Sequence, residues 1–164
     1  MLQIRSAQTS DVFTIAKMSG PLVESRVLLG KELVEAFGAI QEFIVAEKDN
    51  QVVGFGALHV MWEDLAEVRT LAVDENSQRQ GIGKALLQEL EDRARALGIK
   101  RVFCLTFEKE FFGANGYQVI SDVPVSPETY AELVRSHDDG VAEFLDLARV
   151  KQNTLGNSRM LKQL

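Results

Sequence analysis

The sequence predicts one mixed α/β (α+β) domain, a mostly antiparallel sheet flanked by helices. Three observations carry that reading. Between Glu42 and Val73 the apolar residues follow a period of two with short connections, which favours an antiparallel meander. Gly83, Leu87, Leu90, Ala94 and Leu97 then recur at spacings of four and three, the mark of an amphipathic helix. A strand-like stretch over residues 101–106 follows it, so residues 65–106 read as a β-loop-α-β unit. The length, 164 residues, corresponds to about one domain and suffices for a core without disulfide or metal staples.

In chain order, residues 3–6 begin the sheet. Thr9, Ser10 and Asp11 offer N-caps for a helix through Val12, Ile15 and Ala16, with Gly20-Pro21 as its expected end. A second helix is expected over residues 31–39, with Leu33, Val34 and Phe37 on one side. Phe43-Ile44-Val45-Ala46 reads as a strand and Lys48-Asp49-Asn50-Gln51 as its turn. Residues 52–62 and 65–73 complete the meander. Gly54 and Gly56, inside the longer strand, predict a bulge or close approach by another backbone. Gly98 is the expected C′ stop of the helix that starts near Gly83. A short helix over 108–114 and a strand over 117–120 come next. Ser126-Pro127-Glu128 opens a further helix, with a capping serine and a proline in the first position. Residues 159–164 read as a closing strand. No repeat, low-complexity block or linker divides the chain, so residues 1–164 are expected to form a single domain.

Composition narrows the class of function. The chain is 46% hydrophobic and 26% charged, with 18 basic and 24 acidic residues and a net charge of −6. An acidic balance argues against nucleic acid or an anionic membrane as the main partner. No apolar run nears the ~20 residues of a membrane span, and the N-terminus lacks a signal-peptide core. Cys104 stands alone, which fits a reducing cytoplasm and core packing between Phe103 and Leu105. With His59, His137 and one cysteine, no metal site is expected. His59 reads as a structural strand histidine; Trp62, Phe111 and Phe112 read as core or lid packing.

The most specific feature is the stretch from Leu71 to Leu87. A strand ending Leu71-Ala72-Val73 leads into a polar loop, which opens a helix through Gly81 and Gly83. The first turn of a helix leaves its N–H groups without partners and carries the positive end of the dipole. Glycines there let a phosphate approach the backbone. Tight turns use the same residues, so the spacing alone leaves both an anion site and a structural turn open. It is not a P-loop, and it lacks the third glycine of a dinucleotide fingerprint.

Gln78-Arg79-Gln80-Gly81-Ile82-Gly83, following a strand, resembles the Gln/Arg-x-x-Gly-x-Gly/Ala motif of the GNAT N-acetyltransferase family. The order of elements is similar to that fold along most of the chain. Phe111-Phe112-Gly113-Ala114-Asn115-Gly116-Tyr117 resembles the family's late aromatic-x-x-x-Gly-aromatic signature. The resemblance implies acetyl-CoA as co-substrate. The backbone amides of Arg79, Gln80, Gly81, Ile82, Gly83 and Lys84, after Gln78, would wrap its pyrophosphate. The pantetheine arm would pair along Leu71, Ala72 and Val73, where a backbone N–H would serve the oxyanion. Phe112 departs from a frequent tyrosine that protonates the leaving thiolate; phenylalanine cannot, so that role is vacant or filled elsewhere, and a thiolate can leave unassisted.

Within the family the chain resembles short bacterial amino-acid N-acetyltransferases, the stand-alone N-acetylglutamate synthases of arginine biosynthesis. The likeness rests on Val27-Leu28-Leu29-Gly30-Lys31, Gln41-Glu42-Phe43, Gly56-Ala57-Leu58-His59, Ala66-Glu67-Val68-Arg69-Thr70-Leu71-Ala72-Val73, Leu105-Thr106-Phe107-Glu108 and the tail Gly156-Asn157-Ser158-Arg159-Met160-Leu161. Longer synthases carry an arginine-binding kinase-like domain, for which 164 residues leave no room. Acetyl transfer needs a deprotonated amine and a held thioester. Glu67, on the strand before the loop, is placed to take the ammonium proton directly or through water, as an acidic residue here does in the family. A glutamate on a strand is otherwise a solvated charge. L-glutamate or L-glutamine would need cationic partners, and arginine suits carboxylates. Arg69 is two residues from Glu67 and so on its face. The resemblance adds Lys31, Ser158 and Arg159, although the family's arginine falls before the serine. Surface ion pairing is the plain alternative for each of these charges.

These readings converge on a cytoplasmic amino-acid N-acetyltransferase with small-molecule partners, the oligomeric state being open to a homodimer. The alternatives are transfer to another amine, a protein N-terminus or a polyamine, and a non-catalytic acyl-CoA-binding regulator.

Overall fold

A computed structural model describes residues 1–24, 32–150 and 156–164. Seven strands form one sheet in the order β1-β2-β3-β4-β5-β7-β6. They are β1 (Leu2–Ser6), β2 (Phe43–Lys48), β3 (Gln51–Trp62), β4 (Leu65–Val73), β5 (Arg101–Thr106), β6 (Gln118–Val119) and β7 (Ser158–Gln163). The pair β4–β5 is parallel, whereas β1–β2, β2–β3, β5–β7 and β6–β7 are antiparallel. The mixed, mostly antiparallel sheet expected from the sequence is therefore present. Its helices are α1 (Val12–Glu24), α2 (Leu33–Gly38), α3 (Ile82–Ala96), α4 (Lys109–Ala114), α5 (Pro127–Leu133) and α6 (Asp139–Phe144).

Local chemistry explains most of these boundaries. Asp49 and Asn50 both have positive φ, 52° and 62°, the conformation a two-residue hairpin demands and one that Asn and Asp tolerate. Gly98 has φ +85°; its N–H bonds the carbonyl of Arg95 and that of Ile99 bonds Ala94, which closes α3 in a Schellman motif. Ser126 accepts from the Thr129 N–H and Asp138 from that of Val141, capping α5 and α6.

One boundary differs from expectation. Helix α1 does not stop at Gly20-Pro21 but runs on to Glu24, with Pro21 inside it. A proline excludes the helical conformation from its predecessor largely through that residue's Cβ, and Gly20 has none. What remains is the loss of one N–H bond and the crowding of the Pro21 ring against the carbonyl one turn back. Helix α2 begins at Leu33, so the Lys31 start expected for it lies outside the described residues. Its apolar positions Leu33 and Val34 are exposed, and Phe37 meets Phe13 of α1 edge-to-face at 5.7 Å.

The chain divides into two compact units, Met1–His59 with Val68–Arg93, and Val60–Glu67 with Ala94–Leu164. In the first, Ile15 of α1 packs with Phe43, Val45, Phe55, Ala57 and Ala72. Gly54 and Gly56 serve α3: a Cβ at Gly54 would lie 3.0 Å from Leu86 and 3.1 Å from the Ala72 carbonyl, and one at Gly56 3.0 Å from Leu71 and Leu90. The β2–β3 register also shifts between Ala46 and Glu47, opposite Gly54 and Val52. Bulge and close approach, the two readings of that glycine pair, both occur. In the second unit, Leu65 and Phe103 pack with Leu133, Val141 and Phe144.

A charged knot closes the first unit. Arg5 of β1 forks onto Asp11 at 2.8 and 3.1 Å and reaches Glu47 at 2.9 Å, while Asp11 also accepts the Gln8 N–H at 2.7 Å. The Arg5 hydrogen bond, outweighing burial, holds the Asp11 carboxyl below its usual range. A depressed carboxyl contributes stability that is complete above its unfolded pKa, about 4, and is lost as pH falls through the folded value. Asp11→Asn is expected to cost about 2 kcal/mol at pH 7, a Tm drop of roughly 4–8 °C for a chain of this size. The gap to the wild type should narrow as pH falls below about 4; a gap that stays constant down to acid pH would refute the role of the charge.

Candidate active site

Strand β4 carries the candidate base. Glu67 is buried and Arg69 half-buried. The parallel ladder with β5 pairs Leu65–Glu67 with Arg101–Phe103. Between Arg69 and Leu71 the strand takes an unusual step: Thr70 has φ +55°. A β-branched residue in the left-handed region is a true outlier that costs about 1–3 kcal/mol. The Thr70 Oγ1 is also buried without a hydrogen-bond partner among the described residues. The alternation that puts Glu67 and Arg69 on one face is interrupted there, ahead of Leu71, Ala72 and Val73. Threonine is an ordinary strand residue, so nothing in the sequence marks this position.

The loop after Val73 is tied down at its base and open at its crest. The Asp74 N–H donates to the Val53 carbonyl at 2.7 Å, and the Asp74 side chain accepts from Asn76 at 3.2 Å. Gln78 reaches back to the Val73 carbonyl at 3.4 Å. Arg79 and Gly81 have φ of +63° and +80°, with Gln80 between them. Left-handed residues in alternation are the backbone from which anion-binding concavities are made. The Gly81 carbonyl accepts from Ala85, which makes Gly81 the N-cap of α3 and leaves the N–H groups of Ile82, Gly83 and Lys84 without intrahelical partners. Gln78, Arg79, Gln80 and Gly81 are exposed, whereas Ile82 is buried and anchors the helix start. A Cβ at Gly81 would meet nothing within 4 Å. Open access, the donors of the helix start and the dipole of a 15-residue helix fit a diphosphate. Lys48 at the end of β2 donates to the Gln80 Oε1 at 3.0 Å, bringing a cation to the loop that sequence reading did not single out.

The tail residues lie at the start of β7, where Ser158 pairs with Thr106 and Arg159 with Leu105 of β5. Arg159 is buried, 8% exposed. Its Nε donates to the Glu143 carbonyl at 3.0 Å, and its Nη2 to the carbonyls of Asp122, at 2.9 Å, and Phe144. Burial lowers its pKa, against the pull of Asp146, Asp122 and Glu143. Lys31 lies outside the described residues.

The remaining candidates take packing positions. Phe112 is buried, with Phe111 at 5.1 Å and Tyr117 at 5.2 Å, both edge-to-face. Desolvation, helped by Glu67, pushes the Cys104 thiol well up, which keeps it protonated and unreactive at neutral pH. His59 Nδ1 lies 3.0 Å from Glu42. Among the described residues no cluster of His, Cys, Asp and Glu could hold a metal ion, and no helix is long and apolar enough to cross a membrane.

The meander, the glycine loop that opens α3 and the parallel strand after it are the arrangement expected from the resemblance to the GNAT fold. Residues 18–117 match the model of the Acetyltransferase (GNAT) family, and the chain belongs to that family, whose co-substrate is acetyl-CoA. It is 50% identical over 161 residues to the amino-acid acetyltransferase of Mycobacterium tuberculosis, covering 96% of this chain and 92% of that one. It is also similar to a solved Mycobacterium tuberculosis protein in complex with CoA and NLQ, with a TM-score of 0.92, 49% identity and 99% of both chains covered. Against N-acetylglutamate synthase from Neisseria gonorrhoeae, complexed with coenzyme A and N-acetyl-glutamate, the TM-score is 0.80 at 26% identity. There this chain is covered entirely but matches 35% of the larger protein.

Proposed function

We propose that this protein is an amino-acid N-acetyltransferase that acetylates the α-amino group of L-glutamate or L-glutamine, the opening reaction of arginine biosynthesis, in the cytoplasm. The observation that carries the acceptor class is the 50% identity to an amino-acid acetyltransferase over 96% of the chain. Acetyl-CoA supplies an activated acyl group on a thiolate leaving group. The amides of Arg79 to Lys84 hold its diphosphate, and the main chain of Leu71 to Val73 aligns its arm and offers an N–H to the oxyanion. Glu67 takes the ammonium proton of the acceptor. Arg69, Lys31 and Ser158 hold its polar ends, with Arg159 in support. Phe112 supplies no proton, so the thiolate leaves unassisted or takes its proton from another donor.

The test is a direct assay of the purified chain with acetyl-CoA and glutamate, glutamine, other amino acids, a polyamine and a peptide N-terminus. Transfer to glutamate or glutamine in preference to the others is the expected result, and no turnover with either would sink the reading. Phe112 is the one feature that favours a non-catalytic regulator. CoA binding without transfer to any amine would support that second reading.

A further inference from the structure

We infer that Arg159 is a positioning residue, which locks the first rung of β7 and so aims Ser158 at the acceptor instead of meeting the acceptor itself. The inference rests on the functional reading above for the role of Ser158, and on the fold for everything else. Ser158 pairs with Thr106, the last residue of β5, so it sits at the end of a ladder, where strands fray. Just before it, Gly156 has φ +84°, with Phe107 3.0 Å from its Cβ position. The Arg159 side chain ties down the rung at this end. Arg159 joins β7 to the carbonyls of Glu143 and Phe144 in the last turn of α6 and to that of Asp122, which follows β6. Asp122 is 37 residues away in sequence and Glu143 is 16, so one guanidinium joins three segments.

Strand geometry then fixes the division of labour. Adjacent residues of a strand face opposite sides. With Arg159 turned into the α6 side and desolvated there, Ser158 faces the other way, and the two cannot grip one substrate group. Pulling the guanidinium out to reach a carboxylate would strip the Asp122 and Phe144 carbonyls of this donor, whereas the Glu143 carbonyl also accepts from the Asp146 N–H. A lysine has the charge but not the planar fork that spans carbonyls from separate segments.

The experiment is a double-variant cycle in the acetyl-transfer assay, with Arg159→Lys, Ser158→Ala and both together. Each single variant is expected to raise the acceptor KM about fivefold while the acetyl-CoA KM stays within about twofold, and the double variant is expected to be no worse than Ser158→Ala alone. Three results would overturn the inference: an Arg159→Lys variant that loses thermal stability with an unchanged acceptor KM, effects that multiply in the double variant, or a Ser158→Ala variant without effect. Should the lysine variant fail to fold, the wild type decides by nitrogen-15 NMR. The Arg159 Nε–H is expected to be protected from exchange and unmoved on adding glutamine or glutamate, and a shift on acceptor binding would refute it. Absence of any transfer by the wild type would instead count against the functional reading.

Discussion

Glu67→Gln is expected to lower kcat near neutral pH by about two to three orders of magnitude, the usual worth of a positioned general base, and to leave the Kd for CoA within about twofold. Glutamine keeps the shape and the buried placement of Glu67 on β4, so packing survives while the basic oxygen is lost. The α-amine of an amino acid is almost wholly protonated at neutral pH, and the enzyme must remove that proton before nitrogen can attack. Raising the pH should therefore shrink the deficit of the variant, because bulk water then supplies free amine that Glu67 would otherwise make. Steady-state kinetics across that range, with CoA binding measured separately, check both halves. Unchanged turnover near pH 7 would refute the assignment. A deficit that persists at high pH would make Glu67 a holder of the acceptor's ammonium and not its base.

What was legible in the sequence was what neighbours in sequence determine. Asp49-Asn50 announced its hairpin, Gly98 its helix stop and Ser126-Pro127 its helix start, each because a few consecutive residues set the backbone. The insertion of β7 between β5 and β6 had no such signal, since both pairings join segments more than 40 residues apart in sequence, as Cys104 and Val119 with Met160 show. Helix α1 continues past Pro21 because the residue before it is a glycine, which relieves part of the proline's constraint. Arg159 is the most instructive residue at the site. Its charge suggested a carboxylate, but its partners are carbonyls 15 to 37 residues away. Strand alternation alone already separates Arg159 from Ser158. Thr70 was invisible for the opposite reason, because threonine in a strand is ordinary until its φ is seen.

Gly81→Val is expected to raise the Kd for CoA about ten- to hundredfold, or about 1.4–2.7 kcal/mol, with a far smaller effect on the acceptor KM. Gly81 has φ +80°, a region that opposes a Cβ by about 1–2 kcal/mol and a β-branched residue more. A valine there pulls the chain back toward negative φ, turning the peptides on either side of it and redirecting the N–H groups between Arg79 and Lys84. Protein contacts do not add to the penalty, since a Cβ at Gly81 meets nothing within 4 Å. That makes the graded series informative. Asparagine tolerates the left-handed region best, alanine less and valine least, so Kd should rise in that order if backbone shape holds the diphosphate. Equal losses for all three would instead point to a side chain obstructing the ligand. The loop is exposed, and the Gly81 carbonyl still accepts from Ala85, so the loss of thermal stability without ligand should not exceed the backbone strain itself, a few °C. Stabilisation by added CoA should fall with affinity. A valine variant that binds CoA like the wild type would reduce Gly81-Ile82-Gly83 to the structural turn that its spacing alone left open.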